Sequence, residues 1–519
     1  MTAPSSGWVR PLWAVAVLTL AWLTATAWAR PLMLPDEGRY VGVAWEMLQS
    51  GNWLTPTLNG LPYFHKPPLF YWITAASMSV LGANEWAART APLLGAWVGA
   101  MAMFLFVRRW VGQTMAGATT LVLLVQPLFF LGGQFANLDM LVAGCITATV
   151  LCGAHAALNI EQGLPYRHAL ALGYVGAALG VLAKGLIGVV LPAAVLLVWL
   201  VLLRRWRVLA RLLWWPGLGL FALLASPWFV AMQMRYPGFL DYFFVVQHFK
   251  RFAAGGFNNA EPFWFYPAAL ALLSLPWLPW LVRVVRHGDS PSPLRWLMGV
   301  WAVVVVAFFS LPASKLIGYV LPAVPPLAFL MTDGLATAWA TSSRVRNWAW
   351  AGAAVSALTG WVAVGVLAVH TPHSSRELAA ALAARLGPGP REPVFALDHY
   401  PFDLRFYARL QSPVVVVADW AADKVAQRDD WRKELGDAGR FAPRDAASVL
   451  VPPTAWPARL CLSPVNWVVA APSAQAEYAF LAQGEAVVKG REAWLWRLRT
   501  EAVSQLGCWQ KPSADSPDR

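Results

Sequence analysis

The sequence has few charged residues for its length, and this scarcity excludes a wholly soluble protein. Of its 519 residues only 13% are Asp, Glu, Lys or Arg, whereas 58% are hydrophobic. Apolar runs close to the ~20 residues that span a bilayer recur along the first 370 positions, which indicates a polytopic membrane protein. A secretory signal peptide at residues 11–29 would not explain the later runs.

Acidic residues are scarce only in the first part of the chain. Ten of the 27 precede residue 371, so 17 fall in the last 149 positions. The excess positive charge, +13 overall, lies mainly in arginines between apolar runs, as in cytoplasmic loops, so we do not expect a nucleic-acid partner. The chain therefore divides into a transmembrane domain at 1–370, with a first outer loop at 30–85, and a soluble domain at 371–519.

The soluble domain is predicted to be α/β. The segments "PVFALDHY" and "PVVVVADW" are typical of strands, and "PFDLRFYARL" between them is typical of a helix. The polar C-terminal tail is expected to be disordered. Cys461 and Cys508 both fall in this domain, where a disulfide is allowed but is not established by the sequence.

Arginine positions predict the topology. Eleven candidate spans lie at 11–29, 86–107, 113–131, 137–158, 168–183, 185–203, 209–233, 264–283, 296–311, 316–340 and 348–369, and uncertain boundaries allow about 11–13. The run at 67–82 is short and opens with two prolines, and we interpret it as an interfacial or re-entrant helix. The arginine-rich loops then share the cytoplasmic side, and the soluble domain lies outside.

Lysine is the rarest charged residue in the transmembrane domain. Its four lysines all fall on the outer side, against the usual bias: Lys66, Lys184, Lys250 and Lys315. Seven of the ten acids fall there too: Asp36, Glu37, Glu46, Glu85, Asp139, Asp241 and Glu261. Cations grouped with acids at one membrane face indicate a site for a phosphorylated lipid.

Each of these residues also has a purely structural interpretation. Asp36 and Glu37 could stabilise a helix N-terminus, and Asp139 could cap its span. Lys184 and Lys315 could extend to lipid headgroups. Single histidines are more often packing residues than ligands. The convergence of several such segments on one face favours a functional site.

Several motifs together resemble one family. These are "PDEGRY", "GNWLTPTLNGLPYFHKPPLFYW", "NLDM", "LAKGLIG", "HFKRF", "EPFWFY" and "SKLIGYVLP". They are similar, in order and spacing over most of residues 30–330, to the bacterial aminoarabinose lipid A transferases. Those enzymes are related to the protein O-mannosyltransferases, within the GT-C class of membrane glycosyltransferases. The resemblance implies a mainly helical GT-C fold with an outer α/β domain.

The resemblance also implies roles for individual residues. Lys66 and Arg251 match residues that contact the donor phosphate, and Lys184, Lys315 and Tyr319 match positions that line the same cavity. Asp36 matches the catalytic acid beside the acceptor, and Asp139 matches a second acid that positions Lys66 or the sugar. Glu37 and Arg39 are expected to shape the loop, with Arg39 paired to acids and Glu37 held by Arg39 or a backbone amide.

One position departs from the family. Where relatives usually have Glu-Lys before two prolines, this chain has His65-Lys66. The family's glutamate can share a divalent cation with a loop histidine, so the resemblance makes His65 and His248 candidate zinc ligands. Two imidazoles lack the charge of the carboxylate, so the resemblance establishes no cofactor.

The resulting hypothesis is a bacterial inner-membrane glycosyltransferase with its site on the periplasmic side. It would transfer a sugar from undecaprenyl phosphate, or another polyprenyl phosphate, to lipid A, another envelope glycoconjugate or a protein, with inversion. A lipid-linked sugar transporter or flippase is the alternative from another class, and it predicts midplane charges and repeat symmetry. A non-catalytic polyprenyl-phosphate binder is a third interpretation.

Overall fold

The computed structural model describes residues 12–250, 259–287, 292–339, 342–370, 373–386, 392–426, 430–502 and 508. The chain forms two compact units. The membrane unit consists of Met1–Arg30 and His65–His370, and the α/β unit consists of Pro31–Phe64 and Thr371–Arg519. The loop 30–85 is predicted to belong to the transmembrane domain, but the structure groups residues 31–64 with the C-terminal residues, so this boundary is corrected.

Buried polar contacts explain this grouping. Glu46, in the helix Asp36–Ser50, forms a buried ion pair with Arg405. Asn59 exchanges two hydrogen bonds with the backbone of Val414, at 2.7 and 2.8 Å. A buried charge is stable only when it is paired, so these contacts fix residues 31–64 to the α/β unit.

The membrane unit is almost entirely helical. Its α-helices are Leu12–Thr24, Leu69–Leu81, Glu85–Ala88, Thr90–Trp110, Gln113–Val125, Pro127–Gly133, Leu138–Glu161, Arg167–Lys184, Ile187–Leu202, Trp206–Leu212, Trp215–Arg235, Phe265–Leu273, Leu278–His287, Pro293–Ser310, Val324–Trp339 and Ser343–Val369. A π-helix occupies Asp241–Lys250, and a 3-10 helix occupies Ile317–Ala323.

Each of the eleven predicted spans coincides with one of these helices or with a bent pair. By length and composition, six described helices could cross a membrane, or eight if each bent pair is one span. The predicted number of about 11–13 is higher because it includes Arg167–Lys184 and shorter apolar helices such as Leu12–Thr24 and Ile187–Leu202. The mainly helical, polytopic fold class is confirmed.

Small residues bring two of the long helices close together. A Cβ on Gly144, in Leu138–Glu161, would lie 2.8 Å from the Cα of Gly95, in Thr90–Trp110. Such contact between backbones requires glycine and is typical of packing inside a membrane. It fixes the helix that carries Asp139.

The two bent pairs are joined at their breaks. In the first pair, Gln126 separates Gln113–Val125 from Pro127–Gly133, and the two helices meet at 69°. In the second pair, Ser274 follows Phe265–Leu273, which meets Leu278–Arg286 at 113°. Ser274 donates a hydrogen bond to the Gln126 side chain at 2.9 Å. The contact satisfies polar groups that would otherwise be costly in a membrane.

The α/β unit contains a short hairpin and one larger sheet. The strands are β1 Thr57–Leu58, β2 Leu61–Pro62, β3 Val394–Leu397, β4 Val415–Val417, β5 Leu450–Val451, β6 Val465–Ala470, β7 Glu485–Lys489 and β8 Trp494–Arg499. The six-stranded sheet has the order β5-β4-β3-β6-β8-β7, parallel except at β8 and β7. The predicted strands correspond to β3 and β4.

The described residues of the α/β unit also form α-helices, most of them short. They are Asp36–Ser50, Arg376–Ala383, Leu404–Tyr407, Ala422–Ala426, Trp431–Arg440, Pro443–Val449, Trp456–Leu460 and Ala474–Glu477, with 3-10 turns at Pro453–Ala455, Ala479–Gln483 and Thr500–Ala502. The predicted helix between β3 and β4 is Leu404–Tyr407. Trp456 and Trp496 are fully buried in the core over the sheet. A disulfide joins Cys461 to Cys508, and the remainder of the predicted tail lies outside the described residues.

The helix Leu69–Leu81 is the segment predicted not to cross the bilayer. Its 13 residues rise about 20 Å, the same as the predicted span Leu12–Thr24, so length does not separate the two. The prediction for Leu69–Leu81 therefore rests on the two prolines before it and on the arginine side bias. We expect Asn84→Cys to be labelled by an impermeant reagent from outside the cell and Trp110→Cys only from the cytoplasm, in a chain lacking Cys145 and Cys152. Labelling of position 110 from outside would reverse the topology and contradict the eleven-span arrangement.

Candidate active site

A buried ion pair lies where two helices of the membrane unit meet. Asp139 is the second residue of Leu138–Glu161, and Lys184 is the last residue of Arg167–Lys184. The Lys184 ammonium pairs with the Asp139 carboxylate, and the two side chains are 13% and 8% exposed. Lys184 therefore turns inward instead of extending to lipid headgroups.

Asp139 is not the cap of its helix. The cap is Asn137, whose side-chain oxygen accepts a hydrogen bond from the Asp139 backbone N–H at 3.0 Å. The Asn137 amide also donates to the Asp139 carboxylate at 3.2 Å. Because Asn137 supplies the cap, the carboxylate of Asp139 is available for the lysine, and the capping interpretation is wrong.

The motif "SKLIGYVLP" supplies the third side of this cluster. Tyr319, in the 3-10 helix Ile317–Ala323, places its ring centroid 4.3 Å from the Lys184 nitrogen. Gly318 allows this approach, because a Cβ there would lie 2.9 Å from the carboxylate carbon of Asp139. A cation over an aromatic ring and beside a carboxylate is held in one position. We call Asp139, Lys184 and Tyr319 the membrane cluster.

The membrane cluster lines a narrow space. Val142, Ile187 and Phe309 also line it, and it has no room for a water molecule. Asp139 keeps the lysine charge compensated within this space.

Lys315 does not join the membrane cluster. Its ammonium is buried and donates to the carbonyl oxygens of Glu261 at 2.7 Å, Pro312 at 2.6 Å and Ala313 at 3.4 Å. Its backbone N–H also bonds to Asn259. Lys315 thus connects residues 259–261 to the start of "SKLIGYVLP". The structure does not place its ammonium in a cavity with Lys184 and Tyr319, as the resemblance predicts.

The residues predicted around the donor phosphate are described only in part. Lys66 is half-buried directly before Pro67 and the helix Leu69–Leu81. His65 is buried, with its ring centroid 5.8 Å from that of Tyr242 in the π-helix Asp241–Lys250. His248 belongs to the same helix, but its side chain and the whole of Arg251 lie outside the described residues.

A second charged cluster lies in the α/β unit, at the start of the helix Asp36–Ser50. Arg39 forms ion pairs with both Asp36 and Glu434. Burial opposes the charge of Arg39, yet the negative charge of Glu434, supported by Asp36, raises the arginine pKa above its ordinary value. The predicted pairing of Arg39 with acids is seen here, and Asp36 keeps 30% of its side chain exposed.

Glu37 occupies a structural position. It is fully buried, and its carboxylate accepts a hydrogen bond from the Met33 backbone N–H at 2.9 Å. The expectation that it binds a backbone amide agrees with this contact. Glu434 was missed by the sequence analysis, because one acid in the polar helix Trp431–Arg440 gives no signal that it is buried.

The fold and these sites define a polytopic membrane protein with an added α/β unit. It matches the crystal structure of ArnT from Cupriavidus metallidurans bound to undecaprenyl phosphate, with a TM-score of 0.79, over 97% of this chain and 99% of that chain at 24% identity. The archaeal oligosaccharyltransferase AglB from Archaeoglobus fulgidus matches with a TM-score of 0.51 at 12% identity, over 95% and 76% of the two chains. These likenesses establish the predicted GT-C fold.

Sequence comparisons agree with the fold. Residues 8–243 match the family model of dolichyl-phosphate-mannose-protein mannosyltransferase. The undecaprenyl phosphate-alpha-4-amino-4-deoxy-L-arabinose arabinosyl transferase of Shewanella sediminis is 32% identical over 61% of this chain and 58% of its own length. The enzyme of the same name from Aeromonas salmonicida is 32% identical over 69% of this chain and 65% of its own length. The match thus spans less than two thirds of these relatives. The chain is similar in sequence to the aminoarabinose transferases, and the predicted resemblance is confirmed.

Proposed function

We propose that the chain is a membrane glycosyltransferase that moves a sugar from a polyprenyl-phosphate donor to an acceptor at the outer membrane face. The membrane cluster is the observation that carries this proposal, because it keeps a compensated lysine beside a tyrosine inside a mainly apolar helical unit. The relatives' printed name, which specifies an undecaprenyl-phosphate-linked aminoarabinose donor, supports the donor class.

The chemistry of the donor explains the need for cations. The acceptor oxygen forms a bond to the anomeric carbon while the bond from that carbon to the phosphate oxygen breaks, and its electron pair passes to the phosphate. Fixed positive groups stabilise this charge as it develops. Lys66 and Arg251 are the proposed phosphate contacts, with Lys184 released from Asp139 once the donor has opened the cluster. Direct displacement of this kind inverts the anomeric centre.

Asp36 is the proposed group on the acceptor side. Its partial exposure and its position at a helix start leave the carboxylate reachable, while Arg39 holds it in place. With a hydroxyl acceptor it would accept the acceptor proton as a general base. With an acceptor that is already an ionised phosphate it would only orient the attacking oxygen. Asp139, paired with a lysine in the structure, is proposed to position that cation.

The membrane and the face are part of the proposal. Polytopic helices and aminoarabinose-transferase homologues support a bacterial inner membrane, with arginine-rich loops in the cytoplasm and the site in the periplasm. Lipid A, another envelope glycoconjugate and protein remain the proposed acceptor classes.

Purified protein in vesicles tests the function directly. With an undecaprenyl-phosphate-linked aminoarabinose donor and lipid A, we expect mass spectrometry to detect glycosylated lipid A, and Lys66→Ala to abolish the product. The exposed Lys424 provides a control, since Lys424→Ala should retain full activity. If the unmodified protein, supplied with donor, modifies no envelope lipid, glycan or protein, the transferase proposal fails.

A divalent metal at His65 and His248 is a separate proposal. Among the described residues, no group of three or more His, Cys, Asp and Glu side chains could hold a metal. A zinc ion would therefore need His248 together with a ligand from the substrate or from residues beyond those described. The buried position of His65 beside the helix of His248 supports such a pair.

Metal content and chelation test this proposal. We expect purified protein to contain about one zinc per chain, a chelator to lower transfer, and His248→Ala to remove both the zinc and the sensitivity to chelator. Metal-free protein with chelator-insensitive turnover would show that the two histidines only pack or donate hydrogen bonds.

A further inference from the structure

An apolar cavity of about 640 Å³ lies in the membrane unit, away from the membrane cluster. Its lining includes Gln113, Gly117, Leu121, Leu335, Trp339 and Trp350. The helix Val324–Trp339 begins just after Tyr319 and reaches the cavity only with its last turns. The cavity is therefore at the opposite end of this helix from the membrane cluster, and we call it the distal cavity.

The size and lining of the distal cavity suit a hydrocarbon chain. Its volume falls within the roughly 300–1,000 Å³ of sites that hold small ligands. Its lining is predominantly alkyl and aromatic, with Gln113 and Thr114 at the start of Gln113–Val125. Two tryptophans, Trp339 and Trp350, stand at one side with ring centroids 6.4 Å apart. Tryptophan favours the boundary between hydrocarbon and headgroups, so this side marks the mouth.

Two arginines bond to the last turn of Val324–Trp339 at this mouth, and a third lies close to the lining in sequence. Arg346 donates a hydrogen bond to the carbonyl oxygen of Trp339 at 3.4 Å, and Arg283 donates to the Thr337 hydroxyl at 3.3 Å. Arg109 precedes the lining residue Val111 by two positions. All three arginines are exposed.

The described acid on the helix that carries Trp339 does not cancel the positive charge. Asp333, on the helix Val324–Trp339, forms an ion pair with Arg295 at 2.5 Å, and the Asp333 side chain is 19% exposed. Among the described residues, the mouth therefore keeps a net positive charge next to an apolar interior. This combination is complementary to a molecule with an anionic head and a hydrocarbon tail.

We propose that the distal cavity binds an anionic phospholipid, with one acyl chain inside and the headgroup phosphate against Arg283 and Arg346. The site goes beyond the proposed transfer reaction. The sugar donor is a poor occupant, because its phosphate is assigned to the other end of the helices, where Lys184 lies. A phospholipid of the arginine-rich leaflet places its charge at the mouth and its chain in the cavity without crossing the membrane.

Gly117 allows the cavity to be filled without disturbing the fold. It lines the distal cavity, and a Cβ built there has no neighbouring atom within 4 Å. Gly117→Leu therefore places a side chain in the space proposed for the acyl chain, and leucine favours a helix more than glycine does. Gly365, on Ser343–Val369, has an equally open Cβ position and does not line the cavity, so Gly365→Leu is the matched control.

Native mass spectrometry of the full chain in detergent, incubated with phosphatidylglycerol or phosphatidylethanolamine, tests the proposal. We expect one retained phosphatidylglycerol per chain and much less phosphatidylethanolamine. Gly117→Leu should lower retention about tenfold, a loss of roughly 1.4 kcal/mol, while Gly365→Leu retains the lipid. Arg283→Gln and Arg346→Gln should each lower it about fivefold, and Arg207→Gln, an exposed arginine away from the cavity, should not.

Three results would overturn the proposal. Equal retention by Gly117→Leu and the unmodified protein would show that the lipid lies elsewhere. Equal binding of the two lipids would remove the role of the arginines. If the unmodified protein also retains an added polyprenyl phosphate and Gly117→Leu does not, the cavity belongs to the donor. If Gly117→Leu does not fold, the two surface arginine variants still decide between phosphatidylglycerol and phosphatidylethanolamine.

Discussion

Lys184→Met is expected to lower transfer by about a hundredfold or more and to destabilise the membrane unit. The substitution leaves the Asp139 carboxylate buried with Asn137 as its remaining described polar partner. Breaking a buried pair by removing one partner costs about 3–5 kcal/mol, because an uncompensated charge remains. Thermal unfolding in detergent and the transfer assay measure the two effects separately.

The double variant Asp139→Asn, Lys184→Met separates stability from catalysis. Removing both charges should restore most of the stability, since no unpaired charge is left, but it should not restore transfer. The exposed pair Arg205–Glu161 is the matched control, and Arg205→Gln should cost less than about 1 kcal/mol with no change in activity. Full activity in the double variant would remove the membrane cluster from the reaction.

The membrane cluster shows what sequence reasoning can reach. Asp139 and Lys184 were predicted to share one face because charged residues in apolar runs are costly unless they are used. The structure adds that they pair with each other, whereas Asp139 was expected to position Lys66 or the sugar. The cap residue Asn137 was available in "NLDM" as a signal that Asp139 was not needed for capping.

Other features could not be predicted from the sequence. The bonds between Asn59 and Val414 connect residues 355 positions apart, and no local pattern encodes such a pairing. The same holds for Glu434, which pairs with Arg39 across the α/β unit. Lys315 is expected in the cavity because it matches a family position, but nearby carbonyl oxygens accept hydrogen bonds from its ammonium.

Asp36→Asn is expected to lower turnover about 10²–10⁴-fold with a hydroxyl acceptor, while donor binding is unchanged. The amide keeps the shape of the carboxylate but can neither take a proton nor balance Arg39. Because Glu434 also pairs with Arg39, the arginine stays anchored in this variant and the loop should keep its fold. Steady-state transfer and binding of labelled donor distinguish the chemical step from donor affinity.

Glu37→Gln is the control variant for this prediction. Glu37 is the buried neighbour that accepts the Met33 N–H, so its loss should reduce the amount of folded protein more than the rate per folded molecule. Asp36 and Glu37 both lie in the first turn of the helix, where either carboxylate stabilises the N-terminus. If Asp36→Asn turns over normally and both variants lose folded protein equally, helix stabilisation explains Asp36. If only Asp36→Asn loses turnover, the carboxylate acts on the acceptor.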